Sequence, residues 1–497
     1  PSYSEAGTVV RCAASGDGPA GLTGVVVFMG RNWVRAFLSG VAFSAAAAML
    51  SVSASADTLF GAMEKAYVTN PTLNAARAGQ RATDELVPQA LSGWRPTIGV
   101  FGEVNRTRST QENVPIFTPE GPDVDSLAVN NATGGDVSIQ LAQPLFRGFG
   151  TVNSTKAAEA RVDAGKQNLL GTEQQVLFDT VQAYMDVYAG RQFVMLRRQD
   201  VAALQAQVKA AQDRFAVGEI TRTDVAQAQA RLAEAQTFLV NSQTDLARAV
   251  ASYVQVVGQE PGKLSYPKVV NVPKSLKTAL DTAGEINPQL LAQAFVEVAR
   301  KNDIGVAFSN LLPSADLVAS AAGSDPDFAQ SKNRASVMQV GAQLSIPLYE
   351  SGFVYSQVRQ AKQLASQSRI QVIEVARAVR QAVASSWNAY VGLAQIIKNT
   401  RTQVNAAQLA LQGVQQEYQA GTRTTLDVLD AQRDLVQAQV LQVTAERNRV
   451  ISGYQLLAAI GHLTAEEVGL KVPLYDPDAN YKRVRDKWIG TDVKTVE

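Results

Sequence analysis

Two long stretches of the chain have the hydrophobic spacing of an α-helix and contain no proline. Apolar residues recur three and four positions apart, as at Val181, Tyr184, Met185 and Tyr188, which places them on one face of a helix. A helix of about 68 residues extends for roughly 100 Å. The pattern predicts two long helices, two return helices and two helices before the strands: residues 148–216, 353–420, 223–257, 425–460, 71–94 and 288–312.

The first return helix has a narrow apolar seam that contains small residues. Val225, Leu232 and Leu239 are seven positions apart, with Ala228 and Ala235 between them, which is the spacing of a coiled-coil contact. Most of its remaining surface is polar. Such a helix fits a thin wall with water on both sides better than a packed globule. We expect the helices before the strands to stack end to end with the return helices.

Alternating apolar and polar residues predict two pairs of strands. In residues 137–141 and 338–346 the apolar side chains share one face, and strands from about Thr97 and Ser314 are the expected hairpin partners. Strands that are apolar on one side suit a transmembrane barrel, but a half-buried sheet in a soluble domain gives the same pattern. The strand pattern alone leaves both open. Polar loops are predicted between the paired strands, at about residues 107–134 and 325–334.

The chain also contains an internal repeat of about 200 residues. VGEITRTDVAQAQARL matches AGTRTTLDVLDAQRDL, with Gly218 and Gly421 lying 203 positions apart, and QLAQPLF matches QLSIPLY at the same offset. Upstream the offset is 217, so the first copy carries 14 extra residues between Pro96 and Pro144, as expected of a loop. Each half is therefore predicted to run helix, strand, loop, strand, long helix, turn, helix.

Composition narrows the classes of function. The 497 residues have a net charge of +1, with one histidine, His462, and one cysteine, Cys12. A balanced charge argues against nucleic-acid binding, which needs a clustered basic surface. Metal sites and nucleophilic triads draw on histidine and cysteine, so we expect no metal site and no such triad. Carboxylate-based chemistry remains open.

The N-terminal region has the three-part pattern of a secretory signal peptide. Arg31 and Arg35 precede an apolar, Ala-rich run that ends in Ala54-Ser55-Ala56, and the alternative, a membrane anchor, needs a longer run. We expect an upstream extension, a signal peptide, a first repeat, a linker, a second repeat and a C-terminal tail, at residues 1–28, 29–56, 57–261, 262–287, 288–470 and 471–497.

The order of elements, the Pro-Leu-aromatic ends of the second strands and the glycine turns before Asp-Val resemble the TolC family of outer-membrane efflux and type I secretion channel proteins. The resemblance covers nearly all of residues 57–470. It implies a mainly α fold with a β-hairpin pair per repeat, in a homotrimer. There, a periplasmic α-helical barrel joins a twelve-stranded outer-membrane β-barrel, with four strands per chain. It also implies a Gram-negative outer membrane, a periplasmic adaptor protein and an inner-membrane pump of the RND or ABC type.

Closure of a membrane barrel independently requires more than one chain. Four strands cannot close a barrel, and open strand edges are not tolerated in lipid. The smallest known barrels have about eight strands, so at least two chains must contribute. The family resemblance implies that the number of chains is three.

The resemblance places the narrowest point of the duct at the turns remote from the membrane. Asp427 and Asp430 match the paired aspartates of the family at this point, and we expect them to set the periplasmic aperture and its selectivity. They lie one turn apart on one helix face, where like charges are mildly destabilising. Solvated surface acids are the alternative reading.

A closing network is implied at the same turns. Tyr418 and Arg423 match the tyrosine and arginine of that network. Thr223 and Asp224 match their partners on the other turn, and Gln207 aligns more loosely with a further partner. Tyr418 alone is otherwise a packing residue.

The same acids also fit helix starts. Thr221 with Asp224, and Thr424 with Asp427, have the Thr-x-x-acid spacing in which the acid caps free amides and complements the helix dipole. Capping and gating are compatible. Two glycines are expected as helix ends with positive φ: Gly218 and Gly421.

The leading prediction is a passive conduit that catalyses nothing and binds no cofactor. Drug efflux and protein secretion stay open within it, because one duct can serve both. A structural coiled-coil protein or adhesin of the envelope is the alternative, and the membrane-type strands count against it. An exported carboxylate-dependent hydrolase is the third, although no acid pair lies within an apolar pocket pattern.

Overall fold

The chain from Thr58 onward is mainly helical, with one four-stranded sheet and one two-stranded ribbon. A computed structural model describes residues 58–111, 117–118, 121–122, 128–267, 271–329 and 334–493. The expected upstream extension and signal peptide, residues 1–28 and 29–56, lie outside the described residues.

Helices carry most of the described chain. In the first half they are α1 (Leu59–Thr69), α2 (Pro71–Asp84), α3 (Leu86–Leu91), α4 (Gly150–Ala216) and α5 (Arg222–Val257). In the second half they are α6 (Leu276–Ile286), α7 (Pro288–Ser309), α8 (Phe353–Gln419), α9 (Thr425–Ile460), α10 (Ala465–Val468) and α11 (Pro477–Val484). Both α4 and α8 have 67 residues. The predictions for the long helices and the return helices are confirmed.

The helix predicted over residues 71–94 is interrupted, so that prediction was wrong in its continuity. α2 ends at Asp84, α3 follows, and a 3-10 turn covers Ser92–Trp94. Pro88 explains the break, because proline has no amide hydrogen and its ring clashes with the carbonyl four residues earlier, here that of Asp84.

Equivalent Asn-Pro pairs begin α2 and α7. The side-chain oxygens of Asn70 and Asn287 accept from amides in the first turn of their helices at 2.9 and 3.0 Å. Their side-chain amides donate to Val256 and Ala459, both at 2.9 Å, near the ends of α5 and α9. Each Asn therefore caps one helix and ties it to the end of a return helix, as the predicted end-to-end stacking requires.

The main sheet is antiparallel, with the order β1-β4-β5-β6. The strands are β1 (Thr97–Gln111), β2 (Phe117–Thr118), β3 (Gly121–Pro122), β4 (Ala128–Arg147), β5 (Ser314–Asp325) and β6 (Ala335–Ser345). The loop predicted at residues 107–134 was too long, because β1 and β4 stay paired as far as Gln111 and Ala128. At this end of the hairpin both faces carry polar residues, so the sequence shows no alternation of apolar and polar positions there.

One face of the sheet is apolar across all its strands. Residues paired across a ladder share a face, and Val100 pairs with Ile139, Ile139 with Ala321, and Ala321 with Met338. Val100 and Met338 expose 69% and 87% of their surface. The neighbouring row is small or polar: Gly99, Gln140, Ser320 and Gln339. The predicted alternation is confirmed.

The largest apolar cluster lies where α1, α4, α5 and α9 meet the segment that follows α9. It includes Leu59, Met63, Tyr184, Tyr253, Tyr454 and Leu463. The tail beyond it folds back onto the first half, since Asn480 donates to Asp84 at 2.8 Å and Lys166 pairs with Asp478 at 2.6 Å. The C-terminal tail thus straps α2 to α4.

Within the described ranges, none of the helices combines the length and apolar character needed to cross a membrane.

Candidate functional site

Each long helix ends in a tight tip before its return helix begins. The first tip joins α4 to α5 and comprises residues 217–221 with the adjoining turns of both helices. The second tip joins α8 to α9 and comprises residues 420–424 with the adjoining turns of both helices. Gly218 and Gly421 have φ values of 81° and 80°, and their amides donate to the carbonyl three residues earlier at 3.0 and 3.1 Å. An added Cβ would meet no atom within 4 Å at either glycine. The left-handed backbone, and not a lack of room, therefore calls for glycine.

Both return helices begin with the same reciprocal cap. Asp224 Oδ2 accepts from the amide and hydroxyl of Thr221 at 2.9 and 2.7 Å, and Thr221 Oγ1 accepts from the Asp224 amide at 3.3 Å. Thr424 and Asp427 repeat these three distances. The Thr221 hydroxyl chiefly lowers the pKa of Asp224, and the Thr424 amide chiefly lowers that of Asp427, because these bonds favour the charged carboxylate. Both aspartates therefore help to start a helix.

Tyr418 and Arg423 have contacts within their own chain. The Tyr418 hydroxyl lies 3.2 Å from that of Thr425, and the guanidinium of Arg214, near the end of α4, lies 4.4 Å from the centre of the Tyr418 ring. Arg423 donates from Nε to Glu417 Oε2 at 2.7 Å, and this bond raises the pKa of Arg423 above its ordinary value. The Arg214–Tyr418 contact joins the two tips within one chain.

The predicted partners of Tyr418 and Arg423 lie on the first hairpin. Thr223 is exposed at the second residue of α5, and Gln207 is half-buried on α4. Among the residues that the structure describes, no hydrogen bond or ion pair joins Tyr418 or Arg423 to Thr223, Asp224 or Gln207 within one chain. These contacts therefore stay predictions.

Asp430 lies beside two cations that sequence reasoning missed. Arg231 of α5 donates from Nη2 to Asp430 Oδ1 at 3.1 Å, and Nη1 of Arg433 lies 3.5 Å from the same oxygen. The two predicted aperture acids thus differ in their surroundings. Asp427 caps a helix, whereas Asp430 forms an ion pair with the other hairpin.

The charged groups at the tips can hold helices together and set a local electrostatic field. No group of three or more His, Cys, Asp or Glu side chains in the described ranges could hold a metal ion.

Comparison with known proteins identifies the family. The family model for outer membrane efflux proteins matches residues 62–259 and 279–462. Outer membrane efflux protein BepC of Brucella suis is 40% identical over 454 residues, which are 91% of this chain and 94% of the relative. Outer membrane protein TolC of Escherichia coli is 27% identical and covers 83% of this chain and 84% of its own length.

Solved structures show the same fold. The Campylobacter jejuni CmeC outer membrane channel aligns with a TM-score of 0.72 at 14% identity, over 86% of this chain and 89% of that one. The predicted fold class is confirmed, with long helical hairpins and four strands of one sheet per chain. The predicted location is also confirmed: the outer membrane, with the helical part in the periplasm. The protein is an outer-membrane exit duct for efflux and/or type I secretion, and its chain belongs to the outer membrane efflux protein family.

Proposed function

We propose that three copies of the chain close into one passive duct, which catalyses no reaction and binds no cofactor. The open sheet carries this proposal. Its edge strands are β1 and β6, and one of its faces is apolar and exposed. Unpaired backbone groups at a strand edge cost several kcal/mol each in lipid, so β6 of one chain must pair with β1 of the next. Twelve strands from three chains fall within the range of known barrels.

A passive duct needs an external source of energy and direction. We propose that an inner-membrane pump of the RND or ABC type supplies it, reached through a periplasmic adaptor protein. The family resemblance supports these partners, and the similarity to BepC, an outer membrane efflux protein, favours a role in efflux. A secreted protein would use the same duct.

The second tip forms the periplasmic aperture in this proposal. A trimer places Asp427 and Asp430 of each chain around its axis, where their field attracts cations. Arg423 and Tyr418 then contact Thr223, Asp224 and Gln207 of a neighbouring chain. The charges and hydroxyl groups of these residues suit hydrogen bonds between neighbouring helices. A pump complex would open the duct by separating these helices.

Two measurements on the purified protein test the closed duct. Light scattering in detergent should give the mass of three chains, and planar-bilayer recordings should show discrete conductance steps. A monomeric mass, or trimers without conductance, contradicts the proposal. The adhesin alternative predicts trimers without conductance.

Arginine substitutions on β6 test which face meets lipid. Val340 lies on the apolar face and exposes 76% of its surface, so Val340→Arg should cost roughly 2–4 kcal/mol near the membrane midplane. Gln339→Arg, on the other face, is the matched control and should be mild. Heat-modifiable mobility on gels measures the assembled fraction. Equal assembly defects in both variants would rule out the assigned faces.

A further inference from the structure

The two hairpins of one chain meet at a junction just above the tips. Leu429 of α9 is 2% exposed. It belongs to an apolar cluster with residues of α4 and α5: Val201, Leu204, Val208, Ala211, Ala228 and Ala235. One side chain of the second hairpin thus packs between the helices of the first. The position of α9, and therefore of the aperture acids at its start, depends on this contact.

Polar bonds from neighbouring positions of α9 reach the first hairpin. Asp430 accepts from Arg231 of α5 at 3.1 Å, and Gln432 donates to Asp200 of α4 at 3.3 Å. Asp200 is buried, and desolvation raises its pKa despite the bond from Gln432. Leu429, Asp430 and Gln432 therefore fix α9 to both helices of the first hairpin.

The guanidinium of Arg231 is held in place before it meets Asp430. Its Nη1 donates to Glu234, three residues later on the same helix, at 3.0 Å, which leaves Nη2 for Asp430. The side chains of Arg231 and Asp430 are 29% and 40% exposed, so the pair is only partly shielded from water. Arg433 also approaches Asp430, but it belongs to the same helix as Asp430 and cannot link the hairpins.

A small cavity lies beside these groups. It measures about 40 Å³ and is lined by charged and apolar residues of α4, α5 and α9. Charged groups at the junction form bonds with one another, as Arg231 does with Glu234 and Asp430.

We propose that Arg231 is a positioning residue of the periplasmic aperture that acts through Asp430. It fastens the start of α9 to the first hairpin in the closed duct and offsets the negative charge of Asp430. Separation of the hairpins breaks this pair and uncovers the carboxylate, so the aperture becomes more attractive to cations as it opens. This inference rests on the proposed duct and its aperture. Arg231 offsets the charge of Asp430 only while the hairpins are together, whereas it does not offset the charge of Asp427 in either state.

Arg231→Gln tests the inference in planar-bilayer recordings of the full-length protein. The variant should conduct more than the wild type. It should also be blocked by hexaamminecobalt(III) at a several-fold lower concentration, because Asp430 loses its nearer cation and keeps only Arg433, at 3.5 Å. A purely structural role would not strengthen the block. Arg231→Lys keeps the charge but loses the two-armed geometry, so it should keep the wild-type block.

Arg222→Gln is the matched control. Arg222 is exposed at the first residue of α5, so this change removes the same charge from the same helix, closer to the tip. It should leave the conductance unchanged and affect the block less. An equal effect of Arg222→Gln on the block would show that distance-dependent charge is sufficient, and it would overturn the inference.

A double-mutant cycle separates the pair from its surroundings. If Arg231 acts through Asp430, then Arg231→Gln should add little to conductance once Asp430→Asn is present. Full additivity overturns the inference, as does a wild-type conductance and block in Arg231→Gln. A trimeric mass shows that each variant is assembled. If the wild-type protein itself fails to conduct, the proposed function fails, which is a separate and recognisable outcome.

Discussion

The two tips of the chain share a backbone and a cap, but they differ in the side chains around them. Both have a left-handed glycine with nearly the same φ, and both have a Thr-Asp cap with the same bond lengths. Three residues that the family resemblance assigns to the closing network or to the aperture have no identical counterpart at the offset of 203: Tyr418 against Phe215, Arg423 against Ile220, and Asp430 against Gln227.

This difference separates two kinds of requirement. Every helical hairpin needs a turn and a helix start, so residues repeated in both tips serve the fold. Residues present in the second tip alone serve something that only this tip does. By this criterion Asp427, which has Asp224 as its counterpart, is first a cap. Asp430 is the specialised acid, and its partner Arg231 stands where the second repeat has Asp434.

The largest expected effect is on the specialised residues. Tyr418→Phe combined with Arg423→Ser should enlarge the single-channel conductance and leave trimer assembly intact. The reason is that the Tyr418 hydroxyl and the Arg423 guanidinium are the groups proposed to hold neighbouring chains in the closed state. Planar-bilayer recording measures the conductance, and light scattering measures the assembly.

The first tip supplies the control for this double variant. Phe215→Leu with Glu219→Ser removes its aromatic ring and its weak ion pair, in which Glu219 lies 3.8 Å from Arg214. We expect wild-type conductance from this control. If the variants of both tips increase the conductance equally, the two tips do not differ in function. If the variant of the second tip does not increase the conductance, the gate lies elsewhere.

The sequence predicted the long elements well because their signals are local. Helical spacing without proline predicted α4 and α8. A Thr-x-x-Asp pattern predicted where each return helix begins. The strand faces followed from alternation. The helices α1 and α6 were not predicted, since each has only 11 residues and they lie beside a signal-like run and within an expected linker.

Other features depend on contacts between distant parts of the chain. α11 is short and polar, and it owes its place to bonds such as Asn480 to Asp84 at 2.8 Å. The Arg231–Asp430 pair joins residues 199 positions apart, which no local pattern predicts. The assignment of Tyr418, Arg423, Thr223 and Gln207 came from resemblance, and their contacts with one another stay a prediction. A comparison of the two repeats would have shown the specialised residues.

Alanine at the two tip glycines should have the next largest effect, and it should be equal at both tips. Gly218→Ala and Gly421→Ala each place a Cβ on a left-handed backbone, which costs about 1–2 kcal/mol. Nothing lies within 4 Å of either added atom, so no steric term distinguishes them. Native-state hydrogen exchange of the amides that end α4 and α8 measures the local opening energy.

Helix-interior glycines provide controls of opposite sign. Gly171→Ala and Gly413→Ala also meet no atom within 4 Å, and inside a helix alanine should stabilise by about 0.5–1 kcal/mol. A destabilising effect only at Gly421 would mean that the second tip packs against a neighbouring chain there, and the shared-fold argument would fail for that residue.

The threonine caps should contribute slightly less. Thr221→Ala and Thr424→Ala each remove a hydroxyl that accepts from an amide at 3.3 Å, and losing such a cap costs about 1 kcal/mol. Increased hydrogen exchange in the first turns of α5 and α9 would report the loss. Thr→Ser at either position keeps the hydroxyl and should restore the protection. Unequal losses at the two tips would contradict a purely structural cap.

The smallest expected effect is an acid-dependent loosening of both tips. The pKa values of Asp224 and Asp427 lie below the ordinary 3.8 in the folded chain, so the folded state binds fewer protons there than the unfolded state. Their stabilisation is therefore complete above that ordinary value, and it is lost as the pH falls through the lowered folded pKa. Hydrogen-exchange protection at the starts of α5 and α9, corrected for intrinsic rates, should decline in that acidic window. Asp224→Asn and Asp427→Asn should abolish this decline.

The pH at which each tip loosens distinguishes the cap from the gate charge. Bonds to threonine are the main cause of the lowered pKa at both aspartates, and the charge of Arg423 adds a lesser contribution at Asp427 only. Both tips should therefore loosen in the same acidic window, below the ordinary pKa of 3.8. If acid lowers the hydrogen-exchange protection of the second tip but not of the first, the Thr-Asp cap does not control the acid-dependent loosening. The Arg423 charge would then hold Asp427, and the acid shared by both repeats would have become part of the gate.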